Sequence, residues 1–312
     1  MADIRKVATR QSYGEALVEL GAAHDDFVVL DADLAVATQT GKFKAAYPDR
    51  FIDVGIAEQN LMGVAAGIAT TGRKVFASTF AMFAAGRAFE QVRNSIGYPH
   101  LHVVIGATHA GISVGEDGAT HQCNEDLALM RAIPGMTVIV PADDVEAKAA
   151  VRAAYEAEGP VYVRLGRLPV PVIHKDDYHF ELGRGVVERE GSDVTVVACG
   201  LEVSAALEAA KTLADKGLSC EVINMATVKP LDEDLIVTSA RKTGRVVTVE
   251  EHSVIGGLGS AVCDLLCEVL PTPVKKVGVN DVFGESGPAL DLLAKFGLDG
   301  AGVAAVIEGF VR

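Results

Sequence analysis

The sequence predicts an α/β protein of two domains, each a mostly parallel sheet flanked by helices. Three observations carry this. Short, continuously apolar runs alternate with stretches of helical composition along the chain. The alternation stops once, over 168–184, and then resumes. The length, 312 residues, suits about two domains.

FVVLDADL (27–34) is the first apolar run, and FIDVGIA (51–57) is the second, leading into the helical EQNLMGVAAGIATTG. KVFASTF (74–80) precedes AMFAAGRAFEQVRNSI, and LHVVIGATH (101–109), MTVIVPAD (136–143) and VYVRLG (161–166) are further strands. EAKAAVRAAYEAE (146–158) reads as the helix between the last two. Strands that are apolar throughout, rather than on alternate residues, are covered on both faces, which is the mark of parallel sheets. The segment 168–184, LPVPVIHKDDYHFELGR, mixes prolines, histidines and charges without a period and reads as a linker. It separates a first domain, 1–175, from a second, 185–312. The second contains DVTVVACG (193–200), a helix to about Gly217, CEVINMATV (220–228), RVVTVEE (245–251), a helix through Cys267, VKKVGV (274–279) and two short closing helical stretches. There is no short tandem repeat and no low-complexity tract.

Hydrophobic residues make up 49% and charged residues 22% of the chain, a composition that forms cores and argues against disorder. A formal net charge of -14 repels phosphate backbones and excludes nucleic acid as a natural partner. The amino-terminal MADIRKVATRQSYGEAL lacks the apolar core of a signal peptide, and no apolar run reaches membrane-spanning length. Together with five scattered cysteines, an odd count, this predicts a cytoplasmic protein without a disulfide framework and without a membrane partner. Cys263 and Cys267 lie four apart but have no neighbours that would complete a metal site, so no metal ligand is predicted in this chain.

Several segments have the residue types that chemistry needs, each at a strand-to-helix switch where open α/β sheets bind ligands. Glu58 follows a strand and opens a helix, where a carboxylate also complements the helix dipole. Phe80 and Phe83, three apart in STFAMF, can wall a flat heterocycle or pack a helix. The segment 108–122, THAGISVGEDGATHQ, has three glycines, two histidines and two acids, so it cannot bury itself as core and is a functional loop. Within it His109 and His121 are candidate proton donors or hydrogen-bond partners. Arg10, Arg164 and Arg167 are candidate anion clamps, since a guanidinium grips a phosphate through two hydrogen bonds. The glycines of EEHSVIGGLGS (250–260) let a loop pass into a helix and could offer backbone N–H groups to an anion.

Taken in order, ATR (8–10), DADL (31–34), GIAEQN (55–60), STFxxF (78–83), GEDGATHQ (115–122), VPAD (140–143), RLGR (164–167) and EEHSxxGGLG resemble the pyrimidine-binding and carboxy-terminal domains of the transketolase family over nearly the whole chain. The resemblance implies thiamine diphosphate as cofactor, with Mg²⁺, and transfer of a two-carbon ketol unit from a ketose phosphate to an aldose phosphate. Glu58 matches the family glutamate that hydrogen-bonds N1′ of the aminopyrimidine, a role that calls for a poorly solvated cleft. Phe83 matches the ring stacked on that heterocycle, and Phe80 helps wall the pocket. Asp33 lies where the family has an acid near the cofactor interface. Asp117 matches the residue that reads a donor hydroxyl and His121 a histidine near the reacting carbon. Arg10, His109 and Arg167 match the clamp on the substrate phosphate. Two positions depart from the family pattern. A family serine that helps bind phosphate aligns with Ala37, with the Thr38 hydroxyl adjacent as a substitute, and a family tyrosine near the pyrimidine aligns with Gly86.

The GDG…NN segment with which the family grips the diphosphate and Mg²⁺ does not occur in this sequence. The resemblance therefore implies the carboxy-terminal subunit of a split transketolase. An amino-terminal partner subunit would supply that site, and the cofactor's place across a subunit interface implies a heterotetramer. RAFEQVRNSI also leans toward deoxyxylulose-phosphate synthases and the β subunits of 2-oxoacid dehydrogenases, whereas GEDGATHQ leans back toward transketolase. A scaffold or regulatory subunit would have no need of Glu58.

Overall fold

The computed structural model describes residues 5–312. Residues 1–4, the start of the stretch inspected for a leader, lie outside the described residues. The first domain is built on β2 (Phe27–Asp31), β3 (Phe51–Asp53), β4 (Lys74–Phe80), β5 (Val103–Thr108), β6 (Thr137–Ile139) and β7 (Val161–Arg164), all parallel to one another. Every residue of β2 and β5 is buried, which accounts for their unbroken apolar sequences. The second domain holds β9 (Val186–Arg189), β10 (Val194–Ala198), β11 (Cys220–Asn224), β13 (Val246–Ser253) and β14 (Val274–Val279), in the order β14-β13-β10-β11-β9. Only β9 runs antiparallel there. It is half-buried at every position, so it has neither the apolar run nor the alternation that marks a strand.

The sequence-based boundaries need correction in three places. The predicted strand 220–228 is two strands: β11 stays in the second sheet, and β12 (Thr227–Lys229) crosses to pair antiparallel with β6. Without it, β6 would be a bare edge of the first sheet, with a row of unpaired backbone groups. The second domain thus completes a seven-stranded sheet in the order β12-β6-β7-β5-β4-β2-β3. The linker is not irregular throughout: β8 (Pro169–Pro171) pairs antiparallel with β1 (Lys6–Ala8). Finally, β2 and β3 end earlier than their apolar runs. Their last residues turn carboxylates to the following loops: Asp31 accepts from the Leu34 N–H (2.6 Å), and Asp53 from the N–H groups of Asp33 (3.1 Å) and Gly55 (3.0 Å).

In the first sheet the chain runs from β2 to β3 on one side and then to β4 on the other. The carboxyl ends of β2 and β4 therefore flank a topological switch point, where ligands of such sheets bind. Among the described residues no helix is long and apolar enough to cross a membrane, and all five cysteines are free.

Candidate active site

Glu58 begins the helix Glu58–Ala69, immediately beyond β3, and is only 6% exposed. Arg87 approaches it, with Nε 4.0 Å from Glu58 Oε2. Arg87 reaches this place from a π-helical turn, Phe83–Arg87, closed by a hydrogen bond from Ala88 N–H to Phe83 O (3.0 Å). Such wide turns are frequent at functional sites. Sequence reading passed over Arg87 because nothing in RAFEQ signals a π turn.

The aromatic groups meet at the end of β4. Phe80 and Phe83 stack with centroids 5.7 Å apart and planes at 16°. Phe80 also lies against the His109 ring at 3.9 Å, and His121 stands edge-on to Phe83 at 5.5 Å. Beside them Met82 lies over Gly86, where an added Cβ would come within 2.3 Å of its methyl carbon. The space above Gly86 is thus filled by a flexible thioether.

Arg10 donates through Nη1 to the Ala37 carbonyl (2.8 Å) and faces His109 Nε2 at 3.3 Å. His109 Nδ1 lies 2.9 Å from Thr108 Oγ1. Burial first, then the charges of Arg10 and Arg167, push the His109 imidazole down to about 3. The ring is therefore neutral at working pH. With Nε2 accepting from Arg10, its proton sits on Nδ1 and points to Thr108. His109 thus orients Arg10 rather than adding a third positive charge. Arg167 donates to the Val114 carbonyl and pairs with Glu116 at 3.0 Å. Arg10, Ser113 and Arg167 line an open cleft of about 610 Å³, whose far wall is the second-domain segment around Leu290.

The remaining candidates fall in different places. Thr38 is fully buried and its Oγ1 donates to Asp31 Oδ2 at 2.7 Å, so its hydroxyl faces inward and does not replace the absent serine. Thr40 holds the same carboxylate at 2.8 Å, and burial raises the Asp31 pKa. Asp33 is exposed, with φ of 61°, at a neighbouring cleft shared with Arg10 and Asp53. Asp117 is exposed at the tip of the loop, and among the described residues no hydrogen bond fixes its carboxylate. His121 is half-buried and bonded to Thr120 Oγ1 at 2.9 Å.

Two expectations are corrected. Arg164 is not an anion clamp: it is buried, paired with Asp126 at 2.8 Å, and spends Nη2 on the carbonyls of Cys123 (3.2 Å) and Glu251 (2.8 Å). The glycine-rich segment offers no free anion site either. Glu250 already accepts from the N–H groups of Leu258 (2.7 Å) and Gly259 (2.8 Å) at that helix start.

The buried carboxyl and the aromatic wall suit the flat, amine-bearing end of a cofactor. Among the described residues no group of three His, Cys, Asp or Glu side chains could hold a metal ion.

Residues 5–172 match the family model described as transketolase, pyrimidine binding domain, and residues 183–303 that of transketolase, C-terminal domain. The chain is 50% identical to the "Putative transketolase C-terminal section" of Methanocaldococcus jannaschii, covering 95% of this chain and 93% of that one. It is 45% identical to the "6-deoxy-6-sulfo-D-fructose transketolase subunit SqwH" of a Clostridium species, over 93% of this chain and 90% of that one. A solved structure described as "Split gene transketolase, inactive beta4 tetramer" superposes with a TM-score of 0.91 at 58% identity, covering 97% of this chain and 98% of that one.

Proposed function

Because this chain belongs to the transketolase family, we propose that it is the carboxy-terminal subunit of a two-chain enzyme transferring a two-carbon ketol unit between sugar phosphates. The observation that carries the proposal is Glu58, a carboxyl buried to 6% exposure at the sheet's switch point beside the Phe80–Phe83 wall. The family depends on thiamine diphosphate, which when bound supplies a carbanion that adds to the ketose carbonyl. In this reading Glu58 hydrogen-bonds the pyrimidine ring, Phe83 stacks on it, and Phe80 keeps water from its edge. Asp33 sits by the cofactor interface. Arg10 and Arg167 take the terminal anion of the sugar, with His109 holding Arg10 in place. Asp117 and His121, on the same loop, read the donor hydroxyls and handle a proton near the reacting carbon.

The family's GDG…NN segment for the diphosphate and Mg²⁺ does not occur in this sequence, and in this reading a partner amino-terminal subunit brings it. Assembly into a heterotetramer follows from a cofactor shared between chains. Relatives described as a C-terminal section, a subunit and an inactive tetramer support this division of labour. Five free cysteines suit the cytoplasm.

The test is a coupled ketol-transfer assay with xylulose 5-phosphate and ribose 5-phosphate, thiamine diphosphate and Mg²⁺. The chain is assayed alone and then mixed with the amino-terminal subunit carrying the GDG…NN segment. Activity only in the mixture is the expected result. Silence from a formed complex would reject these substrates and move the reading to other ketose donors or to pyruvate-type donors.

A further inference from the structure

The loop His109–Gln122 has a backbone that cannot support itself. Four of its residues have left-handed φ: His109 (57°), Gly111 (80°), Gly115 (87°) and Gly118 (73°). Such a path limits regular pairing to one 3-10 turn, Ile112–Val114, and a bridge from Ala110 to Cys123, and its other internal backbone bonds are local turns, such as Gly118 N–H to Gly115 O at 3.1 Å and His121 N–H to Gly118 O at 3.0 Å. Its fixed points lie largely outside it, and two belong to the second domain. The Ser113 N–H donates to the Glu251 carboxylate. Gln122 Nε2 donates to the Glu285 carbonyl at 2.9 Å. Gly111 passes so close that an added Cβ would lie 2.3 Å from Glu251 Cδ.

Glu251 is itself rigidly mounted. It lies on β13, 4% exposed, and its own carbonyl is held by Arg164, which is anchored by Asp126. Yet among the described residues no Lys, Arg or His side chain hydrogen-bonds its carboxylate, and Asp126 adds like charge nearby. Burial first, against the Arg164 charge, pushes the Glu251 carboxyl up to about 7. A carboxylate in this setting costs stability that an apolar residue of the same size would not. What it gains is a strong, directed acceptor for one N–H of the loop that carries Asp117 and His121.

We propose that Glu251 is a positioning residue: through Ser113 it holds the substrate loop of the first domain in its ligand-ready shape, so that the second domain takes part in donor binding. The positioning rests on geometry alone, and its consequence for the donor rests on the function proposed above.

The experiment compares wild type, Glu251→Gln, which keeps an acceptor oxygen, and Glu251→Ala, which removes it. Hydrogen exchange is followed in the isolated chain. Amides over 110–118 are expected to exchange about tenfold faster in Glu251→Ala, as for loss of a charge-assisted bond, with Glu251→Gln in between and the β-sheet amides unchanged. Unchanged exchange over 110–118 in Glu251→Ala would overturn the proposal. So would a uniform rise across both domains. Gly111→Ala, which displaces the carboxylate from the other side, should give the same local pattern. In the assembled enzyme Glu251→Ala should raise the donor KM about tenfold with little change in kcat. A fall in kcat at constant KM would overturn the role in donor binding. The exchange result needs neither partner nor substrate, so it decides the positioning role even where the wild-type mixture shows no ketol transfer, an outcome that would count only against the proposed function.

Discussion

The His174 imidazole of the linker lies 3.1 Å from Asp143, the residue whose carboxylate caps the helix Asp144–Glu156. Its other nitrogen, Nε2, is 3.0 Å from Glu188 on β9 of the second domain. The same Asp143 carboxylate accepts from the N–H groups of Ile173 (2.8 Å) and His174 (2.7 Å). Nearby, Glu146 accepts from Tyr178 OH (2.6 Å) and from Asn224 Nδ2 (2.8 Å). The linker is therefore a strap that binds the two domains through one buried charged cluster.

The strap makes stability depend on alkaline pH. Burial opposes a charge on His174, but Asp143 and Glu188 overcome it and push the imidazole up to about 10. A histidine whose folded pKa exceeds its unfolded value stabilises fully below about 6.5 and loses that contribution as pH rises through the folded value. We expect unfolding midpoints in urea to fall between pH 7 and pH 10.5. His174→Gln should be less stable by about 3 kcal/mol at pH 7 and lack most of that slope. A variant with the wild-type slope would show that another group is responsible.

Glu58→Gln keeps the size and burial of the side chain but removes the acid. In the mixture with the amino-terminal subunit, kcat should drop by about 10²- to 10⁴-fold, the usual range for losing a proton-handling group. Complex formation, read by light scattering, should be unaffected. Retention of near-wild-type turnover would sink the role assigned to Glu58.

Ala37 and Thr38 are neighbours with opposite expected phenotypes. Ala37→Ser places a hydroxyl beside the carbonyl that Arg10 already holds. It should lower the KM for a phosphorylated donor a few-fold, the worth of one added hydrogen bond of about 1 kcal/mol. Thr38→Ala removes a buried donor to Asp31 and should cost about 1–3 kcal/mol of stability. Donor kinetics and denaturant unfolding on both variants check the pair.

Most of the fold was legible because the central strands, such as β2, β5, β7 and β10, are buried along their whole length and so spell continuous apolar runs. β4 and β14 run over the residues predicted, 74–80 and 274–279. What escaped was non-local. Nothing in CEVINMATV shows that β12 leaves its own domain to close the β6 edge, since Val222 and Val228 are equally apolar and equally buried. The candidate site was legible as residue types at strand ends, but not as orientation. Thr38 looked available to a ligand and is turned to Asp31. His109 read as a proton donor or hydrogen-bond partner, and the structure makes it a neutral ring facing Arg10. Arg87 had no signal, because a π turn aims it.

Arg164 and Arg167 show the limit most directly and give the last prediction. Both sit in RLGR just past a strand, and both looked like anion clamps. Arg164 is the last residue of β7, so its side chain follows the sheet's alternation into the interior and meets Asp126 there. Arg167 lies three residues on, half-exposed on the rim of the cleft. Removing Arg164 leaves Asp126 as an uncompensated buried charge, so Arg164→Ala should cost about 3–5 kcal/mol of stability. Its effect on activity should track the loss of folded protein. Arg167→Ala breaks only a partly exposed pair with Glu116, worth about 0–1 kcal/mol, and should leave unfolding nearly unchanged. Its donor KM should rise by about tenfold or more, because the terminal anion loses a charge-assisted partner. Urea unfolding and donor kinetics on the two variants separate the roles. If both variants lost stability equally, or if Arg167→Ala left KM untouched, the anion end of the site would lie elsewhere.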